Sequence, residues 1–408
     1  MNVNRLLIST IFICGLLLSS CATPETPQAD TKVLLVSFDG FMNEYLDRNE
    51  TPHFDQFIAN GVKAEHMIPV FPTKTFPNHF TVVTGLYVEN HGVISNSFPD
   101  PNLEGYFSYG PQDSENDERW WQGEPIWITA ENQGLTSATM FWPGSEATYN
   151  DVQPTLWKEY DGSVANAARI DTVVSWLDPA GEVDADFSTL YFSHVDSQGH
   201  SYGPNSPEVD EAVVNADSLL GYLMEQLEAK GLSNTVDILL TSDHGMAELS
   251  EDKIILLDDI INLDDVDVID WSPVAMLQPI EGKREEVYQA LKENEQNYSV
   301  YYKSEMPEEY RFSNHERIPE IIMIPEVPYT ITNQSFFESR GVMGGAHGFD
   351  HRSSEMATIF YANGPSIRNG EIIAPFSSVH LYELMARLLN IEPAVNDGSL
   401  DSLKHVIK

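Results

Sequence analysis

Cationic side chains are scarce in this 408-residue sequence. Only 22 Lys and Arg stand against 63 Asp and Glu, a formal net charge of −41 at pH 7. Nucleic-acid phosphates are bound by Lys and Arg, so this balance excludes a broad basic surface for them. Cysteine is nearly absent too: Cys14 and Cys21 alone cannot build a disulfide framework. Apart from one short run at the N-terminus, no stretch is long and apolar enough to read as a membrane span. Internal repeats are missing. What remains is a 42% hydrophobic, 21% charged chain, the composition of a folded protein with a sizeable core. The length suits one large domain or two ordinary ones.

At the N-terminus Arg5 precedes the apolar run Leu6 to Leu18. One positive charge before a short apolar run is the secretory pattern. The following Leu18-Ser19-Ser20-Cys21 resembles a bacterial lipobox. That resemblance implies a signal peptide over residues 1–20 and a lipid on the Cys21 thiol. The protein would then be anchored in a bacterial cell envelope, at a periplasmic or outer-membrane face. The alternative is ordinary secretion with an incidental cysteine. Residues 21–30, with Pro24 and Pro27, read as a tether, and residues 31–408 as the folded domain.

Four short apolar runs have the form of strands buried on both faces: Lys32 to Phe38, Thr189 to Ser193, Thr235 to Thr241 and Met356 to Ala362. Helical spacing of apolar residues runs from Val164 to Leu177, from Pro207 to Lys230 and from Tyr382 to Leu389, and Gly231 stops the second. The alternation predicts an α/β fold with a mostly parallel central sheet flanked by helices on both faces. Residues about 252–335 break the rhythm. An acidic cluster from Asp258 to Asp270, a strand from Val274 to Leu277 and a charged helix from Lys283 to Lys292 predict a small α+β insertion subdomain.

In open α/β sheets ligands sit beyond the carboxyl ends of the strands. The first strand runs into Asp39-Gly40, the second into Asp196 and His200, and the third into Asp243-His244-Gly245. A glycine-flanked His347 follows further on. Three carboxylates and three imidazoles suit zinc or a similar divalent ion. Each has an ordinary reading alone: an aspartate after a strand is usually a turn residue, and Ser197, Gly199 and Pro204 read as an irregular loop around His200. Their shared position at strand ends is what points to a metal site. Thr75 precedes a helix whose N-terminus presents N–H groups to an anion, and a hydroxyl bound to a dication can ionise. The plain alternative is that Thr73 or Thr75 merely caps that helix.

The run Phe71-Pro-Thr-Lys-Thr-Phe-Pro-Asn-His79, with Thr84-Gly-Leu-Tyr87 and Asn90-His-Gly92 after it, resembles the nucleotide pyrophosphatase/phosphodiesterase family of the alkaline phosphatase superfamily. Ser37 to Gly40, Phe141 to Ser145, Asp196 to Pro204, Ser242 to Met246 and His347 to Asp350 extend the resemblance in the family's order. The resemblance implies an alkaline-phosphatase-like core and two zinc ions. One would be held by Asp196, His200 and His347, the other by Asp39, Asp243, His244 and the nucleophile Thr75. It implies that Asn96 and the Thr75 N–H bind a phosphoryl oxygen, and that Phe76 and Tyr160, with Tyr191 nearby, receive a nucleobase. The chain departs from many relatives at Ser193-His194-Val195-Asp196, where they carry Glu-Pro-Asp. Two dications outweigh three aspartates by one charge, and an ionised Thr75 brings the site to neutrality, which suits a diester monoanion. The implied activity is hydrolysis of phosphodiester or pyrophosphate bonds in nucleotides through a phosphothreonine. The alternatives are a glycerophosphodiester or choline-phosphate phosphodiesterase, a phosphomonoesterase, and a non-catalytic binding lipoprotein.

Overall fold

The computed structural model describes residues 31–108, 114 and 116–408, so the leader, Cys21 and the tether lie outside the described residues. The central sheet has eight strands: β1 (Lys32–Phe38), β2 (Val62–Ala64), β3 (Ser137–Met140), β4 (Leu156–Lys158), β5 (Phe187–Phe192), β6 (Val236–Thr241), β7 (Phe360–Asn363) and β8 (Glu371–Ile373). Their spatial order is β8-β2-β7-β6-β1-β5-β3-β4. Only β7 runs antiparallel to its neighbours, and every other pairing is parallel.

The apolar run of β1 shows why the sheet needs helices on both sides. Val33 and Leu35 face one buried cluster, while Leu34, Val36 and Phe38 face another. The first cluster is covered by α1 (Thr75–Thr84) and α5 (Leu381–Leu389). The second is covered by α2 (Asn166–Leu177) and α4 (Pro207–Ala229). Between α2 and α4 in the chain lies α3 (His194–Tyr202). Each fully buried Val, Leu or Phe contributes about 1.5–3 kcal/mol, so the middle strands form the firm part of the molecule. The long α4 begins where expected, with Pro207 at its first position and Ser206 accepting from the Val209 N–H.

The boundaries differ from expectation in two places. Met356 to Ala362 is not one strand: residues Ser354–Met356 form a 3-10 turn, Thr358 bridges to Met42 and Met67, and β7 starts at Phe360. Residues 194–202, expected as loop, are helical. Gly199 lies inside this helix rather than at a turn, and Met246 packs closely over it, its Cε 2.9 Å from where a Cβ would stand. The chain turns at Gly203 instead, at φ +89.

Residues Val266–Asp270, Ala275–Pro279, Ile321–Pro325 and Tyr298–Tyr302 form a separate antiparallel sheet in that order. The helix Arg284–Glu293 covers it through Val287 and Leu291, against Leu277 and Val300. Alternate residues, Met276 and Ile322, join the main core instead. Arg317, almost fully buried, fastens this region down by pairing with Asp100 and donating to the carbonyls of Gly92 and Trp120. Among the described residues no helix is long and apolar enough to cross a membrane.

Candidate active site

Strand register brings the expected ligands to one edge. Phe38 is level with Phe192 in β5, and Ser37 with Thr241 in β6, so all three strands end together. Asp39 follows β1 directly, and its carbonyl accepts the Asp196 N–H of α3 at 3.1 Å. Gly40 permits this approach: its φ is +67, and a Cβ there would sit 2.8 Å from the Asp196 Cα. Asp196 and His200 lie one turn apart on α3 and so share a face. A short antiparallel bridge, Ala247 to Ala346 and Glu248 to Gly345, carries His347 alongside His244, and their rings stack at 3.4 Å.

The three imidazoles are oriented alike. His200 Nδ1 donates to the Gly345 carbonyl at 3.0 Å, His244 Nδ1 to Gly245 at 2.9 Å and His347 Nδ1 to Thr73 at 2.8 Å. A carbonyl only accepts, so Nδ1 carries the proton and Nε2 offers a lone pair. These lone pairs converge. His200 Nε2 lies 3.1 Å from His347 Nε2, and Asp196 Oδ1 lies 3.4 and 3.7 Å from the two. His244 Nε2 lies 2.9 Å from Asp243 Oδ2 and 3.5 Å from Asp39 Oδ1.

One oxygen on each carboxylate, Asp39 Oδ1, Asp196 Oδ1 and Asp243 Oδ2, is buried without a hydrogen-bond partner. The second oxygens of two are bonded: Asp39 Oδ2 accepts from Tyr191 O–H at 2.5 Å, and Asp243 Oδ1 from the Gly40 N–H at 3.1 Å. Burial and then the charges of Asp243 and Asp196 push Asp39 well above the usual carboxylate range. Burial and then His244 and His200 hold His347 well below its ordinary value, neutral. Orphaned carboxylate oxygens facing imidazole Nε2 atoms fit divalent cations, and the backbone carbonyls behind each ring are the usual outer support of such sites. Asp196, His200 and His347 are close enough to share one ion, as are Asp39, Asp196 and His244.

Thr75 is the first residue of α1, and its Oγ1 lies 3.3 Å from His244 Nε2. The preceding loop is held by Asn78, which bonds Val70, Pro72 and Lys74. Asn96 Oδ1 accepts the Phe76 N–H at 3.0 Å, which leaves the NH2 of this cavity-lining amide as what it offers a ligand. A cavity of about 330 Å³ opens here, lined by Thr75, Phe76, Asn96, Tyr160 and Tyr191 beside the Asp39, Asp196, His200 and His347 group. Asp243 and His244 lie beneath it, fully buried.

Two features were not assigned from sequence. His79 donates to the Thr75 carbonyl at 2.9 Å, bonds Ser37 Oγ at 2.8 Å and lies 3.4 Å from Asp243 Oδ2, so it buttresses Thr75 and Asp243 together. Phe141, Trp142, Pro143 and Glu146 complete the cavity wall. Phe141 sits at φ +58, a strained conformation for a bulky residue. Phe141 to Pro143 belong to the run quoted for the family resemblance, and their position just after β3 is what brings them to the site.

Residues 33–350 match the family model for type I phosphodiesterase / nucleotide pyrophosphatase. The chain belongs to this family. Human ectonucleotide pyrophosphatase/phosphodiesterase family member 7 is 38% identical over 413 residues, covering 97% of this chain and 88% of the relative. Human family member 5 is 35% identical over 404 residues, covering 99% and 83%. Among solved structures, murine ectonucleotide pyrophosphatase / phosphodiesterase 5, an inactive variant in complex with AMP, superposes with a TM-score of 0.88 at 36% identity, covering 93% of this chain and all of that one. The fold is therefore that of the alkaline phosphatase superfamily, and in this family member the strand ends carry the cluster described above.

Proposed function

We propose that this phosphodiesterase/pyrophosphatase cleaves phosphodiester or pyrophosphate bonds of nucleotides, with Thr75 as the nucleophile. The observation that carries the reading is the Thr75 hydroxyl, set at a helix N-terminus against a nest of buried, unpartnered carboxylate oxygens and imidazole lone pairs. Asp39, Asp243 and His244 would hold one divalent cation with Thr75, and Asp196, His200 and His347 the other; zinc suits the donor set best. Bound there, such ions supply Lewis acidity to the threonine hydroxyl and to the departing oxygen.

The chain's own residues do the rest. Thr75 Oγ releases its proton to solvent and forms a bond to phosphorus while the bond to the leaving oxygen breaks, and that oxygen keeps the electron pair. Water then cleaves the phosphothreonine and regenerates Thr75. Asn96 NH2 donates to a non-bridging oxygen, stabilising charge that grows in the transition state. Phe76, Tyr160 and Tyr191 give the retained group an aromatic pocket, which suits a nucleobase. The AMP held by the murine relative supports that choice. The presence of Glu146 among those rings favours one rival, a choline ester, whose cation it would attract.

The test is metal analysis of purified protein together with turnover of a thymidine nitrophenyl diester, ATP, glycerophosphocholine and a nitrophenyl monoester. The reading expects stoichiometric divalent metal and preference for nucleotide substrates. Preference for glycerophosphocholine would support the choline reading, and preference for the monoester would reject both. For Cys21, supported by the lipobox-like run alone, we propose a lipid anchor. Cys21→Ser should release the protein from membranes, and retained binding would reject the anchor.

A further inference from the structure

Two short segments carry the groups that act on phosphorus, and one aspartate of the inserted sheet holds both. Lys74 immediately precedes Thr75, and Ser95 immediately precedes Asn96. Asp270 Oδ2 accepts from Lys74 Nζ and from Ser95 Oγ. A second contact joins the same two segments, since Asn96 Oδ1 accepts the Phe76 N–H at 3.0 Å. Together the contacts close a ring that fixes Thr75 against Asn96.

Asp270 reaches this place through a local irregularity. Val266 and Val268 face the apolar cluster under the helix Arg284–Glu293. Strict alternation along Val266–Asp270 would put Asp270 on that face as well. The pairing with Ala275–Pro279 instead shifts register between Val268 and Asp270, and such a bulge re-aims a side chain. Ile269 packs against the main core, and Asp270 turns to Lys74. An exposed ion pair contributes little because water screens it and its ends wander. Here the side chains of Lys74 and Asp270 are only 9% and 14% exposed, and Ser95 is buried. The Lys74 backbone is itself fixed, its carbonyl accepting from Asn78. Asp270 does not line the cavity that opens over Thr75, so whatever it does there passes through Lys74 and Ser95.

Resting on the hydrolase reading above, we infer that Asp270 is a positioning residue for the reaction. It sets the Thr75 hydroxyl and the Asn96 amide at one spacing, so that attack on phosphorus and support of its non-bridging oxygen coincide. The inserted sheet thus contributes to the reaction through one side chain. Loss of an oxyanion donor costs about 100–1,000-fold in kcat, and a small misplacement of a reacting group can cost about 100-fold. Loosening the ring at one contact should cost less than either.

The experiment is steady-state kinetics on the thymidine nitrophenyl diester at saturating divalent metal. It compares the unsubstituted protein with Asp270→Asn, Ser95→Ala, Asn96→Ala and the double variant of the last two. Asp270→Asn should lower kcat about tenfold or more and leave KM within about threefold, because the aromatic pocket is untouched. Ser95→Ala removes one hydroxyl and keeps the ion pair, so it tests the ring even where Asp270→Asn folds poorly. It should lower kcat about fivefold. Once Asn96 is gone, Ser95 has no amide to position, and the same substitution in Asn96→Ala should change kcat less than about twofold. A merely structural Ser95 would act equally in both backgrounds. An unchanged kcat in Asp270→Asn or in Ser95→Ala, or an equal Ser95 effect in both backgrounds, overturns the inference while the hydrolase reading stands. If the unsubstituted protein hydrolyses no diester, both fall.

Discussion

Replacing Tyr191 by Phe tests the support behind the metal ligands without touching a ligand. In register with Ser37, Tyr191 sits on β5 just before the strand end, and its hydroxyl donates to Asp39 Oδ2 at 2.5 Å. Asp39 is 2% exposed, and its other oxygen faces the cluster. The substitution removes one hydrogen bond to a buried carboxylate and nothing else, since the ring stays in the cavity wall. A bond of this kind to a charged group is worth about 1.5–3 kcal/mol. Spread over metal binding, that is about 10–100-fold in the free-metal concentration giving half-maximal activity, the usual range for an outer-shell partner. The assay is a metal-buffered activity titration on the chelator-stripped variant. At saturating metal, KM for nucleotide diesters should stay within about threefold, because the aromatic face is preserved. An unchanged titration midpoint would refute the reasoning, since Asp39 would then not be a ligand whose charge and orientation matter.

Two further outcomes follow from other parts of the molecule. Tyr160→Ala should raise KM for nucleotide diesters at least threefold while changing a small nitrophenyl diester less, as steady-state kinetics on the two will show; equal effects would argue against base stacking. Arg317→Leu leaves Asp100 buried without its partner and should cost about 3–5 kcal/mol, seen in denaturant unfolding. A change below about 1 kcal/mol would mean that the pair does not fasten the inserted sheet to the core.

The sheet's interior was legible because β1, β5 and β6 are buried on both faces and read as unbroken apolar runs. That same feature located Asp39, Asp196, Asp243 and His244, which follow those runs within a few residues. The register that levels the strand ends is not written in any one run, and the bridge that carries His347 to His244 is only two residues long. Strand β3, Ser137–Met140, was invisible as a strand: it is four residues long and alternates Ser and Thr with Ala and Met. Phe141 and Trp142 stood in a run already quoted for the family resemblance, but without β3 that run had no place beside the site, and Glu146 lay outside it. The inserted sheet was half seen. Its first strand, Val266–Asp270, reads as acidic loop because it carries Asp267 and Asp270, the first exposed and the second turned in to pair with Lys74, and Ile321–Pro325 is hidden among prolines. His79 stood in the quoted motif but had no role assigned, because that role depends on two partners, Ser37 and Asp243, that lie far away in sequence.

The central claim is that Thr75 becomes covalently attached to phosphorus. Metal-loaded protein mixed with a slow nucleotide diester, quenched in acid within one turnover and digested for mass spectrometry, measures this directly. The account predicts a nucleoside-phosphoryl adduct on the peptide containing Thr75, and neither adduct nor turnover in Thr75→Ala. An adduct on another residue, or undiminished diester cleavage by Thr75→Ala, would contradict it.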